Sequence, residues 1–359
     1  MKIFLIAFFV LTSLVAQTLS PLPTSQHLSD FEKIAIPFDI ETLKISWKQR
    51  IETIRTQGII PLTDIESSFN PGKFNLIDYA KMMDEYGVAL IAFSPEIGDN
   101  GYTNDAKIWH DAPRALMNAD PSRYVPTSTA GIYPAWTKEP IRFIKETILH
   151  VKAQNYPLLG EFEFRHYPSP RQVKRNESYR DITIPIDSEP AHLLFAFAEQ
   201  SRKPFQIHYE VEDTLLAPLE KMLQTYPHAP VIWCHLAQIR YSDKAKKYTP
   251  SYIRSLLERY PNLYFDLAFG DMNSLYKPSR EYHATIWDRE NRGLKQEWAK
   301  LIEDYPYHFL IAFDIGGDRH DDLPEKIKVA REILKNLSPK TQEIVAYKAF
   351  WKLAFQEDI

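Results

Sequence analysis

Three apolar segments in the second half of the chain each end in a side chain able to bind a metal ion: Phe205-Gln206-Ile207-His208, Val231-Ile232-Trp233-Cys234-His235 and Phe309-Leu310-Ile311-Ala312-Phe313-Asp314. Each has the length of a strand and is too apolar for a surface loop. In a parallel α/β barrel the interior is packed and only the C-terminal rim opens to solvent, so polar side chains at those strand ends mark the chemistry. The expected architecture is therefore an α/β fold, a (β/α)8 TIM barrel with an N-terminal helical extension.

A recurring dipeptide supports the strand spacing. Tyr156-Pro157, Tyr226-Pro227, Tyr260-Pro261 and Tyr305-Pro306 each stand just before an apolar run. Proline lacks a backbone N–H and pushes its neighbour out of the α region, so each pair ends a helix and hands the chain to a strand. The intervals between copies match one βα unit of a barrel.

The chain has 359 residues, enough for one barrel with additions. Residues 57–359 are assigned to the barrel and 21–56 to the extension. Residues 1–20 differ in kind: Lys2 precedes an almost unbroken apolar run from Ile3 to Val15, then Ala16, Gln17 and Ser20. That pattern predicts a secretory signal peptide, with a run too short to span a membrane, and hence a secreted or periplasmic protein with no stable span after cleavage. A retained N-terminal anchor is the competing reading. The formal net charge of −4 and the absence of a basic patch point to a small-molecule substrate rather than nucleic acid. Cys234 is the only cysteine, which rules out an internal disulfide and leaves stability to the core. It reads as a small buried hydrophobe, and strand alternation would set it on the face opposite His235.

Along the chain, helices are expected over 40–54, 76–86, 139–153, 189–200, 214–224, 250–259, 294–303, 324–335 and 339–355. Strands are expected over 59–65, 88–93, 124–133 and 158–164, in the three runs ending at His208, His235 and Asp314, and over Leu263 to Phe269. Residues 95–122 and 165–187 read as long polar loops, the kind that serve as lids or binding loops.

The polar residues at these strand ends form the candidate site: Asp64, Glu66 and Ser68 after the first strand, Glu161 and Glu163 on the fourth, then His208, His235, Asp266 and Asp314. Imidazole and carboxylate donors suit Zn²⁺, Mn²⁺ or Fe²⁺, and a set of three or four leaves a position open for water. We expect Glu66, Glu161, His208, His235 and Asp314 around one or two divalent metal ions, with Asp314 and His235 in catalytic roles. Glu163 and Glu161 share a face by strand alternation, so Glu163 either reaches substrate or joins an ion-pair network with Arg165. Asp266 either lines the substrate site or caps the turn after its strand. Arg165, Arg240 and Arg319 fall just beyond strands and could grip an anionic substrate. Trp109, with Tyr102 and His110, could cover the mouth.

The motifs "PFQIHYE", "PVIWCHLAQIR", "YPNLYFDLAF" and "HFLIAFDIGGD" resemble the amidohydrolase superfamily, in particular the amidohydrolase-related (family 2) branch of TIM-barrel metal-dependent hydrolases, over roughly residues 58–355. The resemblance implies that His208 and His235 are the strand-five and strand-six histidines. It implies that Asp314 is the strand-eight aspartate, which touches metal and shuttles a proton, and that Glu161 in "GEFEF" is a bridging carboxylate. Members open with Asp-x-His-x-His on strand one, whereas this chain has Asp64-Ile65-Glu66-Ser67-Ser68, lacking both histidines. The expected activity is hydrolysis of an amide, ester or lactone, or decarboxylation. Two other readings keep the barrel: a metal-independent glycosidase using Glu66 and Glu161 as acid and base, and a non-catalytic barrel that binds a small ligand.

Overall fold

The computed structural model describes residues 35–69, 75–95, 106–236, 238–270, 272–316 and 319–359. The signal-peptide expectation for residues 1–20 and the loop residue Tyr102 lie outside them. Among the described residues, parallel strands alternate with helices. The strands are β1 (Leu62–Phe69), β2 (Val88–Pro95), β3 (Tyr124–Pro126), β4 (Leu159–His166), β5 (Phe205–Tyr209), β6 (Val231–Trp233), β7 (Leu263–Asp266) and β8 (Phe309–Leu310). Their residues are buried almost throughout, Val88–Pro95 without exception, as befits strands covered on both faces.

β1, β2 and β3 form one parallel sheet, and β4 to β8 pair in chain order in another. A short strand, Ile182–Thr183, runs antiparallel to the end of β4. The sheets meet at both edges. Parallel bridges Thr127–Leu158 and Gly131–Phe162 link the chain after β3 to β4, and Ser67–Ile315 links β1 to the chain after β8.

The helices start and stop for local reasons. Asn75 caps Leu76–Tyr86 by accepting from the N–H groups of Ile77 and Asp78, and Gly87 ends it in the left-handed conformation with φ +71°. Proline stands in the first turn of Pro140–Gln154, Glu189–Ser201, Pro250–Arg259 and Leu323–Leu334, where its missing N–H costs nothing. The helix of the extension, Ile40–Thr56, buries Trp47, Ile51 and Ile54 at helical spacing. Arg50 on it donates to the carbonyls of Val88 and Ala89, so this helix lies at the N-terminal end of β2, away from the polar strand ends.

Several boundaries differ from the sequence reading. β1 runs on through Asp64, Glu66, Ser67 and Ser68, which are polar yet hydrogen-bonded or enclosed, so apolarity alone ends it too early. The region 95–122 is not all loop: Ala106–Ala119 is a helix, masked in the sequence by the internal Pro113. Trp109 lies on that helix, its side chain outside the described residues. Residues 272–293, to which the sequence reading assigned no element, and Leu294 carry two short antiparallel pairs, Leu275–Tyr276 with Glu281–Tyr282 and Trp287–Asp288 with Gly293–Leu294. The terminal helix is interrupted by a π turn over Ile344–Lys348.

Gly160 on β4 allows the Ser128–Ala130 backbone and the Ser94 side chain to approach beside Glu161. A Cβ there would stand 2.4 Å from Ser94 Oγ and 2.9 Å from the Ser128 carbonyl oxygen. Gly160→Ala is expected to destabilise the protein by about 1–3 kcal/mol through this overpacking. The check is a urea midpoint lowered at unchanged m-value.

Candidate metal centre

The described residues contain three groups of donors that could hold a metal ion: Glu161 with His208 and His235, Glu66 with Glu161 and Cys234, and Glu66 with His235 and Asp266. They overlap, so they describe one cluster, with Glu66 and Glu161 from within β1 and β4, His208 from β5, Cys234 and His235 from just after β6 and Asp266 from the end of β7. Glu161 Oε1 lies 2.7 Å from His208 Nδ1 and 3.5 Å from His235 Nε2. The two ring nitrogens are 3.2 Å apart, and His235 Nε2 is 3.6 Å from Glu66 Oε1.

His235 reaches the cluster because the chain leaves strand geometry. β6 stops at Trp233, and His235 adopts φ +60°. Its backbone N–H donates to Asp266 Oδ1 at 2.8 Å, and its Nδ1 lies 3.3 Å from the Ala268 carbonyl oxygen. A carbonyl only accepts, so Nδ1 carries the proton and Nε2 faces the cluster with its lone pair. The left-handed turn also corrects the expectation that Cys234 and His235 point to opposite faces. Cys234 is buried, as expected, yet its sulfur gathers with Glu66 and Glu161, the same carboxylates that His235 approaches.

The electrostatics favour a cation. Both oxygens of Glu66 and Oδ2 of Asp266 are buried with no hydrogen-bond partner. Burial, then the charges of Glu161, Asp266 and Asp314, push the Glu66 carboxyl well above its ordinary range. Glu161 is driven the other way: burial opposes its ionisation, but His208 and His235 together outweigh that and hold it well below the usual value. Burial likewise opposes a charged His208, while Glu161 and Glu210 prevail and raise it to about 10. Carboxylates packed this closely without donors are stabilised by a divalent ion. Donor atoms bound to a common ion at 2.0–2.2 Å stand roughly 3–3.6 Å apart, and the observed separations fall around that span. The cluster therefore fits a divalent metal.

The other sequence candidates take varied places. Asp266 caps the turn after β7, its Oδ1 accepting from the N–H groups of His235 and Ala268, while its free oxygen joins the cluster. Asp314 stands at the rim, with φ +49° and its side chain 46% exposed. Its backbone N–H donates to the Glu66 carbonyl at 2.7 Å, which ties it beside the site although its carboxylate is not among the gathered donors. Arg319 lies 3.9 Å from that carboxylate and remains partly exposed.

Glu163 is buried and paired with Arg180, so it faces an internal partner. Arg165 is engaged by Glu212 and Asp181 at 2.7 Å each, and Arg240 by Glu210 at 2.9 Å. The structure gives both guanidiniums protein partners in place of the anionic substrate expected from sequence. Those partners are distant along the chain or hidden in loops, which is why the sequence did not reveal them. Glu210 was missed as well, although it follows His208 at strand spacing and therefore shares its face.

A buried carboxylate and imidazole cluster gathered from adjacent strands of a parallel α/β scaffold thus defines a metal-competent site. No family model matches the chain, and no curated protein matches its sequence. Solved structures match its fold. The 2,6-dihydroxybenzoate decarboxylase from Rhizobium is similar with a TM-score of 0.51 at 10% identity, over 82% of this chain and 99% of that chain. A 5-carboxyvanillate decarboxylase from Novosphingobium aromaticivorans, solved with manganese, gives 0.46 at 11% identity, over 82% of this chain and 95% of that chain. Amidohydrolase 2 from Bifidobacterium longum subsp. infantis gives 0.42 at 13% identity, over 82% and 98%. The solved structures this chain is similar to thus include amidohydrolase-related proteins and decarboxylases, and the likeness is one of fold.

Proposed function

We propose that this chain is an exported metal-dependent enzyme that acts on a small molecule at a carbonyl-type bond, by hydrolysis of an amide, ester or lactone or by loss of a carboxyl group. The observation that carries the reading is the convergence of Glu161 Oε1, His208 Nδ1 and His235 Nε2 beside the donorless oxygens of Glu66. The scaffold is a (β/α)8 barrel in this reading. Its support is the pair of edge bridges, β3 to β4 and β1 to β8, which would close eight parallel strands into a ring. The apolar run near the N-terminus supports export. Among the described residues no helix is long and apolar enough to cross a membrane.

Glu161, His208 and His235 would hold the ion, with Glu66 as the carboxylate that takes the place of the missing strand-one histidines. A divalent ion there would polarise a carbonyl group and acidify water. The protein supplies the rest. His235 is oriented by Ala268 and Asp266, and the packed strands beneath the cluster keep water from its inner face. Asp314, at the solvent-facing rim, takes a proton from water or returns one to the product, and Arg319 beside it meets a negatively charged substrate group. A fold neighbour that is a decarboxylase keeps carboxyl loss beside hydrolysis in this reading.

Metal analysis of the purified protein tests the reading: about one divalent ion per chain is expected, and a metal-free protein that turns over substrate unaffected by chelation would instead favour Glu66 and Glu161 as a metal-independent pair. A thermal measurement gives a second check. Zn²⁺ or Mn²⁺ at about a hundredfold over its dissociation constant contributes roughly 2.7 kcal/mol to the folded state. The unfolding midpoint should rise on the order of 5 °C and fall back with EDTA.

A further inference from the structure

His208 is held on both of its ring nitrogens. Nδ1 faces Glu161 and His235, and Nε2 lies 3.4 Å from Glu210 Oε1. Glu210 is 4% exposed and accepts from Arg240 Nε at 2.9 Å on that same oxygen. Arg240 is 5% exposed and packed in turn, with Nη1 2.9 Å from His283 Nε2 and its guanidinium 5.0 Å from the Tyr276 ring centroid. A carboxylate paired with arginine only accepts hydrogen bonds, so the imidazole nitrogen turned toward Glu210 must carry the proton. Nδ1, the nitrogen that faces Glu161 and the cluster, is then the one that gives up its proton when an ion is bound.

We propose that Glu210 is a positioning residue: it holds the His208 proton on Nε2 and so presents Nδ1 to the divalent ion, while Arg240 clamps Glu210 in place. The proposal rests on the metal-centre reading above. It completes a symmetry between the two histidines. His235 is oriented through its outer nitrogen by a backbone carbonyl, and His208 through its outer nitrogen by a carboxylate, which also makes the ring a stronger donor. Burial and the Arg240 charge push His283 down to about 3, so a neutral ring receives the far side of the guanidinium. Arg240 therefore acts through Glu210 and His208.

The test is a zinc titration of the full chain against a chromogenic chelator, with Glu210→Gln and, as a control, Glu220→Gln on the outer helix Asp213–Thr225. Glutamine keeps the size but can donate as well as accept, so it no longer dictates which nitrogen is protonated. Glu210→Gln should weaken zinc binding about 10- to 100-fold, and Glu220→Gln should leave it unchanged. Histidine ¹⁵N spectra of the zinc-loaded wild type should show the His208 proton on Nε2, a signature that a purely structural role would not require. Zinc affinity of Glu210→Gln within twofold of wild type, or a proton on His208 Nδ1, overturns the proposal while the metal centre stands. Failure of the wild type to bind zinc, manganese or iron overturns the metal-centre reading and this proposal together.

Discussion

His235→Ala is expected to leave the protein folded and almost free of metal, with affinity for Zn²⁺ or Mn²⁺ reduced at least ~100-fold, beyond the loss for a supporting residue. The expectation follows from the position of one atom. Nε2 of His235 lies within 3.6 Å of Glu161, Glu66 and His208, so its removal takes away the donor shared by the most neighbours. The backbone at residue 235 keeps its hydrogen bond to Asp266, and that backbone contact preserves the turn. Metal content after dialysis, measured beside circular dichroism, separates ligand loss from unfolding. Asp314→Ala should differ: its carboxylate is half exposed at the rim, so activity should fall by a factor of at least ~100 while metal occupancy changes little. Full metal occupancy in His235→Ala and His208→Ala alike would remove the ligand assignment.

Much of this was legible because apolar runs and their terminal polar residues report two different things. Ile207, Val231, Ile232, Phe309 and Leu310 are fully buried, and the imidazoles that follow the first two runs sit where those runs stop. What the sequence could not carry were effects of space. Strand alternation separates Cys234 from His235 until a left-handed residue at 235 turns both inward. Arg165 and Arg240 look free along the chain, yet Glu212, Asp181 and Glu210 reach them through the fold. The strand-one segment shows the same limit in reverse. Its missing histidines suggest a damaged site, whereas Glu66 enters the cluster with two unpartnered oxygens and Asp64 takes up a structural task.

That task makes Asp64→Ala the substitution with the largest expected cost in stability. Asp64 is 1% exposed. Its Oδ1 accepts from the Glu66 N–H at 3.0 Å and from the Phe313 N–H at 2.9 Å, and its Oδ2 accepts from Ser67 Oγ at 2.5 Å. Ser67 Oγ in turn accepts from the Ile315 N–H at 3.3 Å. One carboxyl group thus pins the bend of β1 to the chain after β8, where Glu66 and Asp314 are aimed. Alanine would strand two buried backbone N–H groups and a hydroxyl, each costing about 1–3 kcal/mol, for a total of about 3–5 kcal/mol once partial relaxation is allowed. Asparagine retains an acceptor for both N–H groups and can donate to Ser67, so Asp64→Asn should lose less than about 1.5 kcal/mol. Denaturant midpoints measure the first effect and zinc affinity the second, because a loosened seam displaces Glu66 as well. If Asp64→Ala were as stable as Asp64→Asn, the join between β1 and β8 would rest on backbone bonds such as those from Ile65 to Ile311, Ser68 to Ile315 and Asp314 to Glu66, and the strand-one aspartate would have no structural part in shaping the site.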